Sequence, residues 1–275
     1  QNDALYPFLD VRGNVGFPLN VRRVSRNEVT ARVEAEARVL EIEHLLAKKP
    51  GELSAGHQQL VQAARALVRV PKVFLMDEPL ARLDAHMRVQ MRQELRLLQR
   101  GYGVTTVFVT NSNDEAMVLA DQLAVIDRGT IRQIGAPLEL YRDPHSRFVG
   151  GFVGTMGFVP AKVVRDGRGF WIRFGGFGLR AWAPALASAV TVDVGVRPED
   201  VIPDAGGVSV NVGHGWFTGA NGAARVELAP GEWVEMRTEN PPPVAGSRIG
   251  VRLRRLHLFD PATGGSVGRI EDGAA

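Results

Sequence analysis

Two short segments of the chain carry residue types that can bind and activate a phosphate group. In Leu53–Leu60 (LSAGHQQL), a serine and small residues open a helix, where free N–H groups and the helix dipole favour anions. In Val73–Pro79 (VFLMDEP), an apolar run ends in two adjacent carboxylates, Asp77 and Glu78. Open parallel sheets bind ligands at the carboxyl ends of their strands, so one carboxylate can position metal-bound water while the other acts as general base. Together the segments predict a polyphosphate site.

Each segment also has a simpler structural interpretation. Ser54 is a good helix N-cap whatever its surroundings, and a carboxylate pair after a strand is usually solvated loop charge. The closeness of the two segments in sequence favours the functional interpretation, because they form consecutive elements of one α/β unit. No G-x-x-x-x-G-K-[ST] phosphate loop occurs anywhere in the sequence, so half of the expected site is missing.

Composition excludes several classes of function. The 275 residues are 45% hydrophobic and 23% charged, which is ordinary for a globular protein of two domains. A formal net charge of +3 gives no strong electrostatic case for nucleic acid as a partner. The absence of cysteine removes disulfides and thiolate sites, and the six histidines are scattered, so we predict no histidine metal site.

The sequence shows neither a membrane-spanning run nor a signal peptide. No stretch approaches the roughly 18 consecutive apolar residues that a spanning helix needs. Any association with a membrane is therefore expected to go through a protein partner, and the cytoplasm is the default compartment. The chain begins with glutamine rather than methionine, from which we expect a processed or truncated product whose phosphate loop lies upstream.

The first half of the chain alternates helical and strand patterns. We predict an amphipathic helix over residues 25–49, opened by a Ser25 capping box, and a second helix from the Leu53 segment to the residue before Pro71. Residues 73–76 and 104–109 are continuous apolar runs that predict buried parallel strands. A helix between them is predicted to have its inner face at Met87, Met91, Leu95 and Leu98. Residues 123–127 and 130–134 predict a hairpin at the sheet edge.

The composition changes near Gly150, where a second domain is expected to begin. Glycine and proline become frequent and short strand patterns replace long helices, as in small all-β domains. The candidate strands are residues 170–174, 190–196, 224–228, 233–237 and 249–253.

Five segments resemble, in order and with compatible spacing, the motifs of ATP-binding cassette (ABC) proteins. Gln1–Pro7 is similar to the Q-loop of sugar-importer ATPases of the maltose-transporter type. Leu53–Leu60 resembles the LSGGQ signature, and Val73–Pro79 resembles the Walker B strand with its catalytic glutamate. Leu83–Ala85 resembles the D-loop, and Val109–Asn111 falls at the switch-histidine segment. Ordered motifs multiply specificity, so the chain is identified as a member of this family lacking its Walker A segment.

The C-terminal part narrows the resemblance to sugar importers. Val196–Asp200 (VRPED) and His257–Asp260 (HLFD) resemble recurrent motifs of their appended regulatory domain, an OB-like β-barrel of the TOBE type. The resemblance implies an α/β fold, the C-terminal part of an ABC-type P-loop NTPase domain, over residues 1–150, with a helical subdomain at about 8–70. The all-β regulatory domain follows over residues 151–275. Its near-neutral charge and the lack of a basic aromatic stripe favour a packing or dimerising role over ligand binding.

The resemblance also implies cofactors and partners. Two such subunits would close around two ATP molecules with Mg²⁺, each ATP lying between the phosphate loop of one subunit and the signature helix of the other. The signature residues that would contact ATP are Ser54, Ala55, Gly56 and His57. Transmembrane permease subunits and, indirectly, a solute-binding protein would complete the importer at the cytoplasmic face of the membrane, with the helical segment gripping the permeases.

Individual roles follow from the same resemblance. Gln1 would sense magnesium and the attacking water, and Asp77 would hold magnesium through water. Glu78 would polarise the nucleophilic water, and Asp84 would communicate across the dimer. Asn111 stands where the family has the histidine that contacts the γ-phosphate.

Departures from the family pattern leave two functions open. Ala55 and His57 replace a glycine and a glutamine of the signature, and Asn111 can donate a hydrogen bond but cannot become a cation near neutral pH. The chain is either the C-terminal portion of an active importer ATPase or a degenerate, non-hydrolysing subunit that docks on a transporter. The intact carboxylates Asp77 and Glu78 favour the first. Neither the solute nor a choice between homodimer and heterodimer follows from the sequence.

Overall fold

The computed structural model describes residues 5–81, 83–167, 169–217, 219, 221–239 and 241–271, and these form two compact units. The first ends at Ala120 and the second begins at Asp121. Elements of the first unit are the helices α1 (Val11–Val21), α2 (Arg26–Val39), α3 (Ala55–Leu67), α4 (Ala85–Tyr102) and α5 (Asn113–Leu119), with strands β1 (Val73–Asp77) and β2 (Thr105–Val109).

Helices α1, α2 and α3 pack around a shared apolar core. Val15 of α1, Val33 of α2 and Val61 of α3 are completely buried in it. Ser25 caps α2 as predicted, because its Oγ accepts a hydrogen bond from the Glu28 N–H. The prediction of one helix over 25–49 is wrong. After α2, Glu41 adopts φ of +56°, and only short 3₁₀ turns follow at 43–45 and 50–52.

Strands β1 and β2 pair in parallel, with Val73 opposite Thr105 and Asp77 opposite Val109. The parallel pairing and the helix α4 between them confirm the predicted strand-helix-strand order. The predicted burial of both strands is wrong in the described structure, where alternate side chains are exposed and Leu75 is 72% accessible. A smaller core of Leu80, Leu83, Met91 and Leu95 fixes the segment after β1 against α4.

The second unit is mainly antiparallel sheet. A hairpin, β3 (Leu123–Asp127) with β4 (Thr130–Gly135), forms a separate two-stranded sheet, so its predicted place at the edge of the β1–β2 sheet is wrong. Helices α6 (Pro137–Arg142) and α7 (Arg147–Phe152) follow. The remaining strands are β5 (Gly157–Asp166), β6 (Gly169–Phe174), β7 (Phe177–Ala181), β8 (Thr191–Val196), β9 (Val201–Phe217), β10 (Gly222–Ala229), β11 (Glu232–Thr238), β12 (Arg248–Leu253), β13 (Arg255–Phe259) and β14 (Ser266–Glu271).

These strands form two sheets around one core. In the described residues their orders are β14-β13-β8-β5-β6-β7 and β11-β10-β9-β12. Buried side chains from both sheets, such as Ile172, Val194 and Val226, belong to a single apolar cluster. All five predicted strands of this region are present. This compact unit also includes residues 121–150. The boundary near residue 150 between the nucleotide-binding and regulatory domains stays a prediction.

Arg197 connects the helices of the second unit to its sheets. The side chain is 1% accessible, and its Nη1 lies 2.9 Å from the carbonyl oxygens of Gly150 and Gly154 and 3.1 Å from that of Thr155. Nη2 donates to the carbonyl oxygen of Tyr141 at 3.0 Å, and the guanidinium lies over the Tyr141 ring. Burial lowers the pKa of Arg197. The VRPED segment thus has a structural role that its spacing does not reveal.

His257 is expected to make the second unit less stable in acid. The imidazole is 2% accessible, and its Nε2 lacks a hydrogen-bond partner among the described residues. Burial, with the positive charges of Arg197 and Arg255, lowers the pKa of His257 from 6.5 to about 4. The unfolded chain therefore binds a proton at His257 below pH 6.5, whereas the folded chain does not bind it until about pH 4. The free energy of unfolding therefore decreases as the pH falls through this window.

We expect His257→Phe to reduce this acid sensitivity. Between pH 7 and pH 5 the free energy of unfolding of the parent should lose about 2 kcal/mol that the variant keeps. Urea unfolding at both pH values, followed by tryptophan fluorescence, measures the difference, because all four tryptophans lie after Asp121. His214→Gln is the matched control, since His214 is exposed. An equal loss in parent and His257→Phe would contradict the assignment.

Candidate functional site

The carboxyl end of β1 places Asp77 and Glu78 at the rim of a cleft of about 730 Å³ within the first unit. Asp77 is exposed and Glu78 is half-buried, so water reaches both carboxylates. The lining also includes residues of α1 and α3, with Arg22 at the C-cap of α1 and Arg65 on α3. The cleft therefore combines negative charge at the strand end with positive charge on the helices.

The backbone at Glu78 is held in an uncommon conformation. Its φ is +44°, which is unusual for a residue with a side chain and costs of order 1–3 kcal/mol. The Glu78 N–H donates to the carbonyl oxygen of Val109 at 2.8 Å, which fixes the turn to the end of β2. The carboxylate is thereby directed by the pairing of β1 with β2, and the chain turns sharply after the strand.

Asn111 contacts the Glu78 carboxylate. Its Nδ2 donates to Glu78 Oε1 at 3.4 Å, a long hydrogen bond. Both residues are predicted from the sequence to be catalytic, and the structure brings them together from the ends of neighbouring strands. Gln1, the third residue named as catalytic and a predicted metal ligand, lies outside the described residues.

The signature residues lie at the N-terminus of α3. The Oγ of Ser54 accepts a hydrogen bond from the His57 N–H at 3.2 Å, so Ser54 is the N-cap that the simpler interpretation requires. Ser54 and Ala55 are exposed, whereas Gly56 is buried. The His57 ring makes an edge contact with His44, with ring centroids 6.0 Å apart. Free N–H groups of this helix end can still receive an anion.

Gly56 lies where the signature helix α3 packs closely against α4, the helix that follows the D-loop. A Cβ at Gly56 would come within 2.3 Å of Met87 Cε, so the two helices meet closely here. Asp84 caps α4, because its Oδ1 accepts from the Met87 N–H at 3.0 Å. The predicted nucleotide-binding residues Gly56 and Asp84 therefore both approach Met87, Gly56 at the Met87 side chain and Asp84 at the Met87 backbone N–H.

Two residues near the site, Glu115 and Arg88, are not among the candidates predicted from the sequence. Glu115 of α5 is only 3% accessible, and Arg88 of α4 reaches toward it. Only the fold places these residues together, because they are far apart in sequence. The sequence contains no signal for them, because the burial that makes the Glu115 carboxylate need a cationic or hydrogen-bonding partner is known only from the fold.

The residues present fit one side of a magnesium-nucleotide site. Asp77 offers an exposed carboxylate oxygen, the kind of ligand that Mg²⁺ and its bound waters accept. The G-x-x-x-x-G-K-[ST] cradle for the phosphates does not occur in the sequence. Among the described residues, no cluster of three or more His, Asp or Glu side chains is arranged to hold a metal by itself. The fit therefore extends to the metal and water side only.

Comparison with known proteins finds relatives that align with nearly the whole chain. The family described as ABC transporter matches residues 1–81. The sn-glycerol-3-phosphate import ATP-binding protein UgpC of Burkholderia ambifaria is 40% identical over 284 residues, covering 98% of this chain and 77% of that protein. The same-named protein of Ruegeria pomeroyi is 42% identical over 275 residues, covering 96% and 76%.

A third relative belongs to a sugar importer. The trehalose/maltose import ATP-binding protein MalK of Thermococcus litoralis is 45% identical over 210 residues, covering 73% of this chain and 56% of that protein. The described helices of this chain include none with the length and apolar character to span a bilayer. The resemblance read from five short motifs is thus confirmed by alignments that extend through both compact units.

Proposed function

The chain belongs to the ABC transporter family of ATP-binding proteins, and from this premise we propose that it couples ATP binding and hydrolysis to the import of a small polar solute. The observation that carries the hydrolytic part is the contact between Asn111 Nδ2 and Glu78 Oε1 beside Asp77. An oriented carboxylate at the rim of a water-accessible cleft is the arrangement that a general base needs.

Each residue then has a defined task. Glu78 orients the attacking water and accepts its proton, and Asn111 holds the Glu78 carboxylate by donating a hydrogen bond. Asp77 would hold Mg²⁺ through water, and Ser54, Gly56 and His57 would present the α3 N-terminus to the phosphates of the other subunit's ATP. Bound Mg²⁺ neutralises the charge of the phosphate oxygens.

The names of the relatives guide the choice of solute. Proteins called importers of sn-glycerol-3-phosphate and of trehalose or maltose are similar to this chain, so we propose a glycerol phosphate or a sugar as the cargo. The direct partners are permease subunits and a second nucleotide-binding subunit, with a solute-binding protein acting through the permeases. The complex would lie at the cytoplasmic face of the membrane.

We assign residues 1–150 to the nucleotide-binding domain and 151–275 to an OB-like regulatory domain of the TOBE type. The antiparallel sheets around one core support an all-β assignment for the second. Its role would be to pack against a neighbouring subunit.

A non-hydrolysing subunit remains the second candidate. The specific observation in its favour is Asn111 itself, whose contact with Glu78 is long at 3.4 Å and whose amide cannot carry a positive charge. In that case the chain would bind a nucleotide and contribute its α3 N-terminus to a better site on the partner.

We expect Asn111→His to separate the two candidates. An imidazole reaches further than the amide and can be protonated, so turnover of ATP by the complete subunit with its permeases should rise about 100-fold, the lower end of the range for a positioned acid–base group. Phosphate release measured from pH 6 to pH 9 should also gain an ionisation that the parent lacks. Asn113→His, two residues away, is the control.

The level of activity in the parent decides between the candidates. Measurable turnover in the parent supports the importer ATPase. No turnover in the parent, followed by recovery in Asn111→His, supports the degenerate subunit. An equal gain in Asn113→His would contradict the role given to position 111.

A further inference from the structure

Glu115 is a buried carboxylate that the proposed hydrolytic chemistry does not use. Its accessible fraction is 3%, and a carboxylate in such a place requires partners. Oε2 accepts a hydrogen bond from the Thr110 hydroxyl, and Oε1 lies 3.8 Å from Arg88 Nε. Glu115 therefore stands between the segment that carries Asn111 and the helix α4.

The Thr110 end of this arrangement holds the turn around Asn111. Besides donating to Glu115, the Thr110 hydroxyl oxygen accepts a hydrogen bond from the Ser112 N–H at 3.0 Å. The Ser112 hydroxyl oxygen in turn accepts from the Glu115 N–H at 3.4 Å. The residues on both sides of Asn111 are thus fixed to Glu115, and the direction of the Asn111 side chain toward Glu78 depends on them.

The Arg88 end reaches the D-loop triplet Leu83–Ala85. Arg88 Nη2 donates to the carbonyl oxygen of Leu83 at 3.0 Å. The next residue is Asp84, whose carboxylate caps the same helix, and the Leu83 side chain is buried against α4. One guanidinium therefore touches the D-loop backbone with one nitrogen and faces Glu115 with another.

The contact between Arg88 and Glu115 is incomplete. Arg88 Nε is buried and lacks a hydrogen-bond partner among the described residues, although a carboxylate oxygen lies 3.8 Å away. A buried N–H without a partner is costly, and a movement of about 1 Å would bring the two atoms to hydrogen-bond distance. A small displacement of the D-loop triplet can therefore form this hydrogen bond.

We propose that Arg88 and Glu115 are positioning residues that couple the position of the D-loop triplet to the orientation of Asn111 toward Glu78. The inference rests on the proposed function and adds an internal connection to it. When the D-loop triplet moves, Arg88 moves with the Leu83 carbonyl, closes on Glu115 and tightens the Thr110–Ser112 turn. The carboxylate of Glu78 is then held in the orientation for accepting a proton.

The test measures ATP turnover by the complete subunit assembled with its permeases. Arg88→Ala and Glu115→Gln should each lower kcat about tenfold, with KM for ATP changed less than twofold. Arg88→Lys should behave like Arg88→Ala, because an ammonium cannot contact the Leu83 carbonyl and Glu115 in the same fork geometry. Arg100→Ala, exposed on the same helix, is the matched control and should leave kcat unchanged.

A double-mutant cycle separates coupling from a general structural effect. In an Asn111→Ala background, Arg88→Ala should change kcat less than twofold, because the group that it orients is gone. Independent, multiplying losses would overturn the proposal, and so would recovery of kcat by Arg88→Lys. Thermal unfolding of each variant identifies any loss that comes from unfolding, and Glu115→Gln preserves the side-chain shape if Arg88→Ala unfolds.

Hydrogen exchange tests the coupling without turnover. In Arg88→Ala and Glu115→Gln, peptides that cover residues 110–116 should exchange at least fivefold faster than in the parent, whereas Arg100→Ala should leave them unchanged. Unchanged exchange in all variants would overturn the coupling even if the parent hydrolyses ATP. A parent without turnover whose exchange responds as expected would instead contradict only the proposed hydrolytic function.

Discussion

The Glu78→Gln subunit, assembled with its permeases, is expected to hydrolyse ATP about 1000-fold more slowly than the parent while still binding it. Glutamine keeps the size of the side chain and can still accept a hydrogen bond from Asn111, but its amide cannot accept the proton of the attacking water. A loss of this size corresponds to about 4 kcal/mol of transition-state stabilisation, within the range for a general base.

Steady-state phosphate release and equilibrium binding of ATP measure the two halves of this prediction. Glu94→Gln is the control, because it makes the same substitution at an exposed glutamate on α4. A parent that hydrolyses ATP and a Glu78→Gln variant that does so equally well would exclude Glu78 as the base. Loss of binding together with turnover would point to a damaged fold at the strained Glu78 backbone.

Arg197→Met is expected to lower the free energy of unfolding of the second unit by about 4 kcal/mol. Methionine fills part of the volume, but the carbonyl oxygens of Tyr141, Gly150, Gly154 and Thr155 lose their donor. Hydrogen bonds to a charged group contribute about 1.5–3 kcal/mol each, and removal of the buried charge offsets part of the sum.

Tryptophan fluorescence during urea unfolding checks this prediction, since the tryptophans report on the second unit alone. Arg225→Ala on the exposed face of β10 is the control and should change stability by less than about 0.5 kcal/mol. Arg197→Lys should recover little, because an ammonium cannot bond all of these carbonyls at once. Full stability of Arg197→Met would show that the carbonyls find other donors.

The sequence predicted the elements whose signals are local. The apolar run of β1, the Ser25 and Ser54 caps and the parallel order around α4 all depend on residues close together in the chain. Helix α1 was missed as a separate element because Gly13, Gly16 and Pro18 hide its pattern, and it is stabilised by packing on α2 and α3. Helix α2 ends before Glu41, whose left-handed backbone conformation could not be predicted from the spacing of apolar residues.

The candidate site was predictable as far as a family pattern reaches. Asp77, Glu78 and Asn111 were named from the motifs, and Asn111 and Glu78 lie together in the structure. The connection through Arg88 and Glu115 was not predictable, because it depends on the distance between two helices and on a nitrogen without a partner. The burial of Glu115 and its distance from Arg88 are properties of the folded chain, so no local segment of the sequence predicts them.

The hydrogen bonds from Arg197 to carbonyl oxygens of α6, of α7 and of the loop after α7 have a consequence for recombination between relatives. A crossover placed at residue 150 would join the β-rich part of one protein to the Tyr141 and Gly150 carbonyls of another. The donor and its acceptors would then come from different parents, so any mismatch in loop geometry would leave a buried cation poorly solvated. Exchange near residue 120 keeps the arginine with its own loops, and chimeras divided there should fold more often.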